Sequence, residues 1–141
     1  MNKKSSQVGF SLVELLVVVV VIGIVASLAV PFLQRAIRGS EVGAAFATMR
    51  SIATTQVGYF SQTNRFARIT EVNNVMSGSI GTQIGTQVNR GKFVFASVPA
   101  NPTDAELRDG YILTATRTDP GEGVTYVYEL TQFGQIRDVT P

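Results

Sequence analysis

Residues 15–33 read LLVVVVVIGIVASLAVPFL, nineteen uncharged residues in which Ser27 is the one conventionally polar side chain. As a helix rising 1.5 Å per residue this run spans roughly 28 Å, close to the hydrocarbon thickness of a bilayer. Its many Val and Ile residues would suit a buried strand, but nineteen residues far exceed a strand's usual length. The run therefore predicts a membrane helix. Lys3, Lys4 and the terminal amine favour a cytoplasmic N-terminus, whereas Arg35 and Arg38 lie just past the other end, so the charge rule leans only weakly. A second reading of the same stretch is an ordinary secretory signal, with a basic segment at 1–9, an apolar segment at 15–25 and a small-x-small site at Ser27-Leu28-Ala29. That reading gives no role to Glu14, a carboxylate at the mouth of the apolar run.

The totals narrow what the rest of the chain does. With 141 residues, about eighty remain beyond a long N-terminal helix, enough for one small domain and too few for a multi-domain enzyme. The chain has no Cys and no His, which excludes a disulfide scaffold, a thiolate metal cluster and the commonest proton shuttle at neutral pH. No nucleophile–base constellation or phosphate-cradling loop is present, so no enzymatic activity and no cofactor are expected. Lys3 and Lys4 account for the net charge of +2: without them 12 basic side chains become 10, against 10 acidic ones. Arg65, Arg68, Arg90 and Lys92 would form a nucleic-acid patch only if the fold gathered them, and direct nucleic-acid binding is not expected. Asp104, Glu106 and Asp109, or Asp119, Glu122 and Asp138, supply hard oxygens suited to calcium without the spacing of a known calcium loop; solvated turn acids are the plainer reading.

Past Arg35, Arg38 and Glu41 the pattern turns amphipathic. Val42, Phe46, Met49, Ala53, Val57 and Phe60 recur at steps of three and four, predicting an apolar stripe on a helix that continues to about residue 60, with Ser51, Thr54, Thr55 and Gln56 on its other faces. Residues 61–90 read as a connecting αβ region with a short turn near 70–76. The repeat IGTQIGTQ at 80–87 reads as an exposed loop or edge strand. Strands are expected near 91–97, 110–117, 123–130 and 133–138. In the third, Val124, Tyr126, Tyr128 and Leu130 alternate with Thr125, Val127 and Glu129. Asp119-Pro120-Gly121-Glu122-Gly123 has the composition of a tight turn, and Thr131-Gln132 suits a hairpin. The fold class is thus α+β: a long N-terminal α-helix, transmembrane in its first half and amphipathic in its second, on a three- to four-stranded antiparallel sheet.

The junction Gly9-Phe10-Ser11-Leu12-Val13-Glu14-Leu15-Leu16 resembles the GF[ST]LxELL junction of type IV prepilins and of the pseudopilins of type II secretion. The resemblance implies removal of a leader, residues 1–9, by prepilin peptidase between Gly9 and Phe10, followed by methylation of the Phe10 amine. Glu14 then corresponds to the retained acid that pairs with the Phe10 amine of a neighbouring subunit, or of its own before assembly. Gly23 and Pro31 fall where that family bounds a stretch able to lose helicity in the assembled filament. Implied segments are 10–34 as transmembrane and filament-core helix, 35–60 as amphipathic half, 61–90 as connecting region and 91–141 as β meander. Implied partners are copies of the chain in a helical filament, the peptidase/methyltransferase, inner-membrane assembly machinery, and the lipid bilayer before assembly. The implied location is the cytoplasmic (inner) membrane for precursor and mature monomer, and the cell surface for the filament. A major pilin is the leading expectation, and a pseudopilin or minor pilin the alternative. Calcium-binding pseudopilins carry a characteristic C-terminal sequence that is not evident here.

Physical chemistry gives each of these residues a reason. A carboxylate taken into an apolar surround needs a partner, because burying it alone costs several kcal/mol. Gly9 has no Cβ to obstruct a peptidase at the adjacent bond. Pro31 has no N–H and its ring opposes the preceding turn, so it favours a bend or local opening. Between Gly23 and Pro31 the β-branched residues are weak helix formers in water, although lipid leaves the backbone no other partner.

Overall fold

A computed structural model describes residues 9–119, 121 and 123–141. The leader expected at 1–9 lies outside these residues except for Gly9, as do Pro120 and Glu122 of the expected tight turn. The chain divides into two compact units, one ending at Ser40 and one comprising Glu41–Pro141. A single helix, α1 (Leu12–Thr63), runs from the first into the second.

In the first unit α1 is apolar on every side, and every side chain of residues 15–33 is exposed. A helix greasy all round belongs in lipid or among other helices. The helix continues without interruption through Gly23 and Pro31. Ser27 folds its hydroxyl back to donate to the Ile24 carbonyl at 2.7 Å, which gives the run's one polar group a partner within the helix. The expected division of the helix into two halves has no counterpart in the backbone, which stays helical over all 52 residues.

In the second unit α1 buries Ala45, Thr48, Met49, Ile52 and Gln56. The buried stripe is thus turned by about one residue from the expected one. Met49 is at its centre, Val42, Phe46 and Ala53 flank it, and Val57 is 66% exposed. Gln56 sets this rotation. Its carboxamide accepts from the Ala67 N–H and donates to the Ala67 carbonyl, both at 2.7 Å, so a polar side chain pairs the main chain of the returning segment inside the core. Replacing Gln56 with Ala would leave both Ala67 groups buried and unpaired, a loss of roughly 2–4 kcal/mol. Thermal unfolding of the full chain in detergent should register it as a lowered Tm; an unchanged Tm would show that the pairing contributes nothing.

After Asn64, whose positive φ of 59° ends α1, the connecting region is more ordered than its composition suggests. It holds a short helix, α2 (Ile69–Val75), and two strands, β1 (Thr82–Ile84) and β2 (Gln87–Arg90). The remaining elements are β3 (Phe93–Val98), α3 (Glu106–Asp109), β4 (Ile112–Asp119), β5 (Val124–Thr131) and β6 (Ile136–Asp138). The sheet is a six-stranded antiparallel meander in the order β1-β2-β3-β4-β5-β6, and not the three- to four-stranded sheet expected. Of the two extra strands, β1 lies within the IGTQIGTQ repeat and β2 begins at its last residue, Gln87; the two halves of the repeat behave differently. Ile80 is fully buried and its N–H donates to Asn73 Oδ1, whereas Ile84 is 59% exposed on the outermost strand. Asn73 Nδ2 also donates to the Gly81 carbonyl. A Cβ at Gly81 would lie 2.3 Å from the Asn89 carbonyl oxygen, so only glycine allows β1 this close to β2. On β5 the expected alternation holds at Tyr128 and Leu130, which are buried, while Val124 is exposed at the strand's start.

The core of this unit joins Met49 and Ile52 of α1 to Ile69 and Val72 of α2 and to Phe95, Leu113 and Leu130 of the sheet. Phe46 meets Tyr128 edge to face at 4.9 Å. Phe60, Phe66 and Tyr111 form a series of ring contacts, the first tilted at 4.7 Å and the second edge to face at 4.9 Å, so Phe60 and Phe66 complete the monomer's own packing.

Candidate assembly site

The residues singled out for processing and assembly lie together at the start of α1. Gly9 and Phe10 precede the helix outside any regular element, both exposed, Phe10 at 85%. A Cβ built on Gly9 meets nothing within 4 Å, so the chain's own packing does not demand glycine there. Gly23 is equally open. Any requirement for glycine at position 9 must come from outside the chain.

Glu14 sits in the first turn of α1, with its carboxylate turned back onto the helix's own start. The Ser11 main-chain N–H donates to Glu14 Oε2 at 3.0 Å, and the Leu15 N–H closes the first turn on the Ser11 carbonyl at 3.2 Å. Ser11 and Glu14 have the S-x-x-E spacing of a capping box, and the carboxylate satisfies one of the donors that a helix start leaves unpaired. Ser11 is a participant that motif reading passed over, although the three-residue spacing to Glu14 was visible. Pro31 lies within the same helix, seventeen residues beyond Glu14.

Charged groups of the second unit are mostly paired with one another. Arg65 grips Glu71 through two guanidinium nitrogens at 2.7 and 2.9 Å, and Arg68 reaches Asp104 at 2.7 Å. Glu71 also accepts from the Arg68 main-chain N–H at 2.8 Å, capping α2. The Arg65 guanidinium, followed by the Arg68 N–H, holds the Glu71 carboxyl well below the usual range, at about 2. Stability from this pair is therefore fully present above the ordinary value near 4.5 and is lost as pH falls through about 2. Allowing for solvent screening of a partly exposed pair, roughly 1–2 kcal/mol is at stake. Glu71→Gln should flatten the unfolding free energy between those two pH values; an acid-side slope identical to wild type would contradict this.

Of the four cations considered for a nucleic-acid patch, Arg65 and Arg68 come together but face carboxylates. Arg90 donates to the Ser79 carbonyl at 3.1 Å, and Lys92 lies 3.7 Å from Glu41. Glu41 also meets Arg117 at 3.0 Å, and Arg117, 2% exposed and passed over in the sequence, reaches Asp119 at 3.4 Å. Of the acids considered for calcium, Asp104 is taken by Arg68, Glu106 accepts from the Thr103 N–H and hydroxyl, and Asp138 holds Thr140. Among the described residues no three His, Cys, Asp or Glu side chains gather as a metal site would require.

Comparison with known proteins bears on the N-terminal site first. The profile of the prokaryotic N-terminal methylation motif matches residues 4–30. Over 101 residues the chain is 29% identical to the type IV major pilin protein PilA of Myxococcus xanthus (strain DK1622), an alignment covering 72% of this chain and 41% of that protein. The chain thus spans less than half the length of the curated relative it matches. No solved structure matches it. Three features are consistent with the type IV pilin and pseudopilin superfamily: a methylation-type N-terminus, an apolar helix suited to membrane association, and an antiparallel sheet behind a long helix.

Proposed function

We propose that this chain is a major pilin, a structural subunit that polymerises through α1 into an extracellular type IV filament. The observation that carries this reading is the exposed apolar surface of residues 15–33, most of which falls within the methylation-motif match at residues 4–30. Such a surface must be covered by lipid or by like helices, and a filament core of parallel copies satisfies it as well as a bilayer does. In this reading residues 1–9 are a leader removed after Gly9 by a prepilin peptidase, which also methylates the Phe10 amine. The mature chain waits in the inner membrane, and assembly machinery transfers it to the growing filament. Glu14 is paired there with the Phe10 amine of a neighbour, fixing axial register more than bulk stability. Gly23 and Pro31 bound a stretch of α1 that melts locally on assembly, and the sheet is displayed outside. The chain's work is mechanical and needs no catalytic group.

Purified surface filaments test the subunit class. This chain should be their most abundant protein; finding it only in substoichiometric amounts would assign it instead to the pseudopilins or minor pilins.

A further inference from the structure

The same local bond stands at the start of α1 and α2, and just before α3, the three helices among the described residues. A main-chain N–H donates to a carboxylate three residues on: Ser11 to Glu14 at 3.0 Å, Arg68 to Glu71 at 2.8 Å and Thr103 to Glu106 at 2.7 Å. In α2 and α3 the carboxylate has further partners that hold it, Arg65 and Arg68 for Glu71 and the Thr103 hydroxyl for Glu106. The bond at Glu14 lies exposed at the edge of the apolar helix. A carboxylate there needs a partner at every stage of the chain's life, and Ser11 supplies one from within the same subunit.

We infer that Ser11 is a positioning residue for Glu14, and that assembly is an exchange of partners. Before assembly the Ser11 N–H holds the carboxylate on its own helix start; in the filament the carboxylate leaves Ser11 for the amine of a neighbouring copy. This rests on the filament reading and adds to it the state from which Glu14 departs. The exchange replaces a neutral main-chain donor with a charged one, and a charge-assisted bond is about twice as strong as a neutral one. It is also local: trimming after Gly9 would create the new amine on Phe10, the residue next to Ser11. Each mature subunit would then present its acid and its amine at the same end of one helix.

The experiment uses the mature full chain in lipid bicelles and reads amide hydrogen exchange at Ser11 by NMR, in wild type, Glu14→Val and Glu14→Gln. Glutamine keeps a side-chain carbonyl able to cap but has no charge to pair with an amine. Ser11 exchange should be at least roughly tenfold faster in Glu14→Val than in wild type, the loss of one protecting bond. Glu14→Gln should retain most of the protection while losing filaments as Glu14→Val does. Equal Ser11 exchange in wild type and Glu14→Val would overturn the cap. In filaments grown from a mixture of subunits labelled separately at the Glu14 carboxylate and the Phe10 nitrogen, the two labels should be in contact across subunits. A carboxylate still on its own Ser11 nitrogen in those filaments would overturn the exchange. Filaments of normal yield from Glu14→Val would instead defeat the register role while leaving the cap to the exchange ratio.

Discussion

Replacing Glu14 with Val should leave the chain in the membrane and abolish ordered filaments. Valine extends the apolar surface of residues 15–33, so insertion is undisturbed. The effect falls on assembly. Without the acid, each Phe10 amine would enter an apolar filament core with no counter-charge, and stripping one partner from a buried ion pair costs enough to shift an equilibrium on the order of a hundredfold or more. The core of the second unit does not include position 14, so its folding is independent of this change. The readout is filament mass sheared from cells that carry only the variant, alongside variant protein in the membrane fraction. A wild-type yield of filaments would remove Glu14 from the account of register.

Replacing Gly9 with Leu should be as severe and act one step earlier. A Cβ at Gly9 meets nothing within 4 Å, so a side chain can start there without a clash in the chain itself. A peptidase that must approach the bond between residues 9 and 10 would meet a branched side chain where it had met none. The precursor should accumulate in the membrane untrimmed, with no filaments, since the Phe10 amine is never released. Intact-mass analysis distinguishes the outcomes: a species retaining residues 1–9 agrees with this account, and normal trimming of the variant contradicts it.

The N-terminal methylation motif was legible in the sequence because its determinants are local. Gly9, Phe10 and Glu14 lie within six residues, and the apolar run behind them is too long for a strand. The helix was likewise readable from composition, since residues 15–33 have no polar face that could mislead. Strands β3, β4 and β5 were legible within a few residues from their alternation and the glycines before them. What stayed hidden depends on contacts distant in sequence. Gln56 looks like a surface residue until Ala67, eleven positions on, brings both halves of a peptide group to its carboxamide. The repeat at 80–87 reads as an exposed loop or an edge strand, and β1 is that edge strand, but β2 stayed hidden because the order here depends on Asn73 and on the close approach at Gly81. Arg117 gives no sign of burial, since Glu41, its partner, is seventy-six residues away on α1. Ser11 is the exception, a local relation at three residues' spacing that the more familiar motif overshadowed.

The two units also differ in what stabilises them. Glu41–Pro141 closes a core of its own from helix and sheet, with its buried polar groups at Gln56 and Asn73 bonded to main chain. Residues 15–33 bury nothing within their own fold. That contrast is the physical basis for assigning the first unit to a surround supplied by other molecules, first lipid and then copies of itself.

The most direct test is the intact mass of the chain in filaments sheared from the cell surface. The account predicts a subunit that begins at Phe10, carries one methyl group on its amine and retains the whole of residues 15–33. Recovery of the protein solely as a soluble monomer beginning near Val30, the product of an ordinary signal cleavage after Ala29, would contradict it.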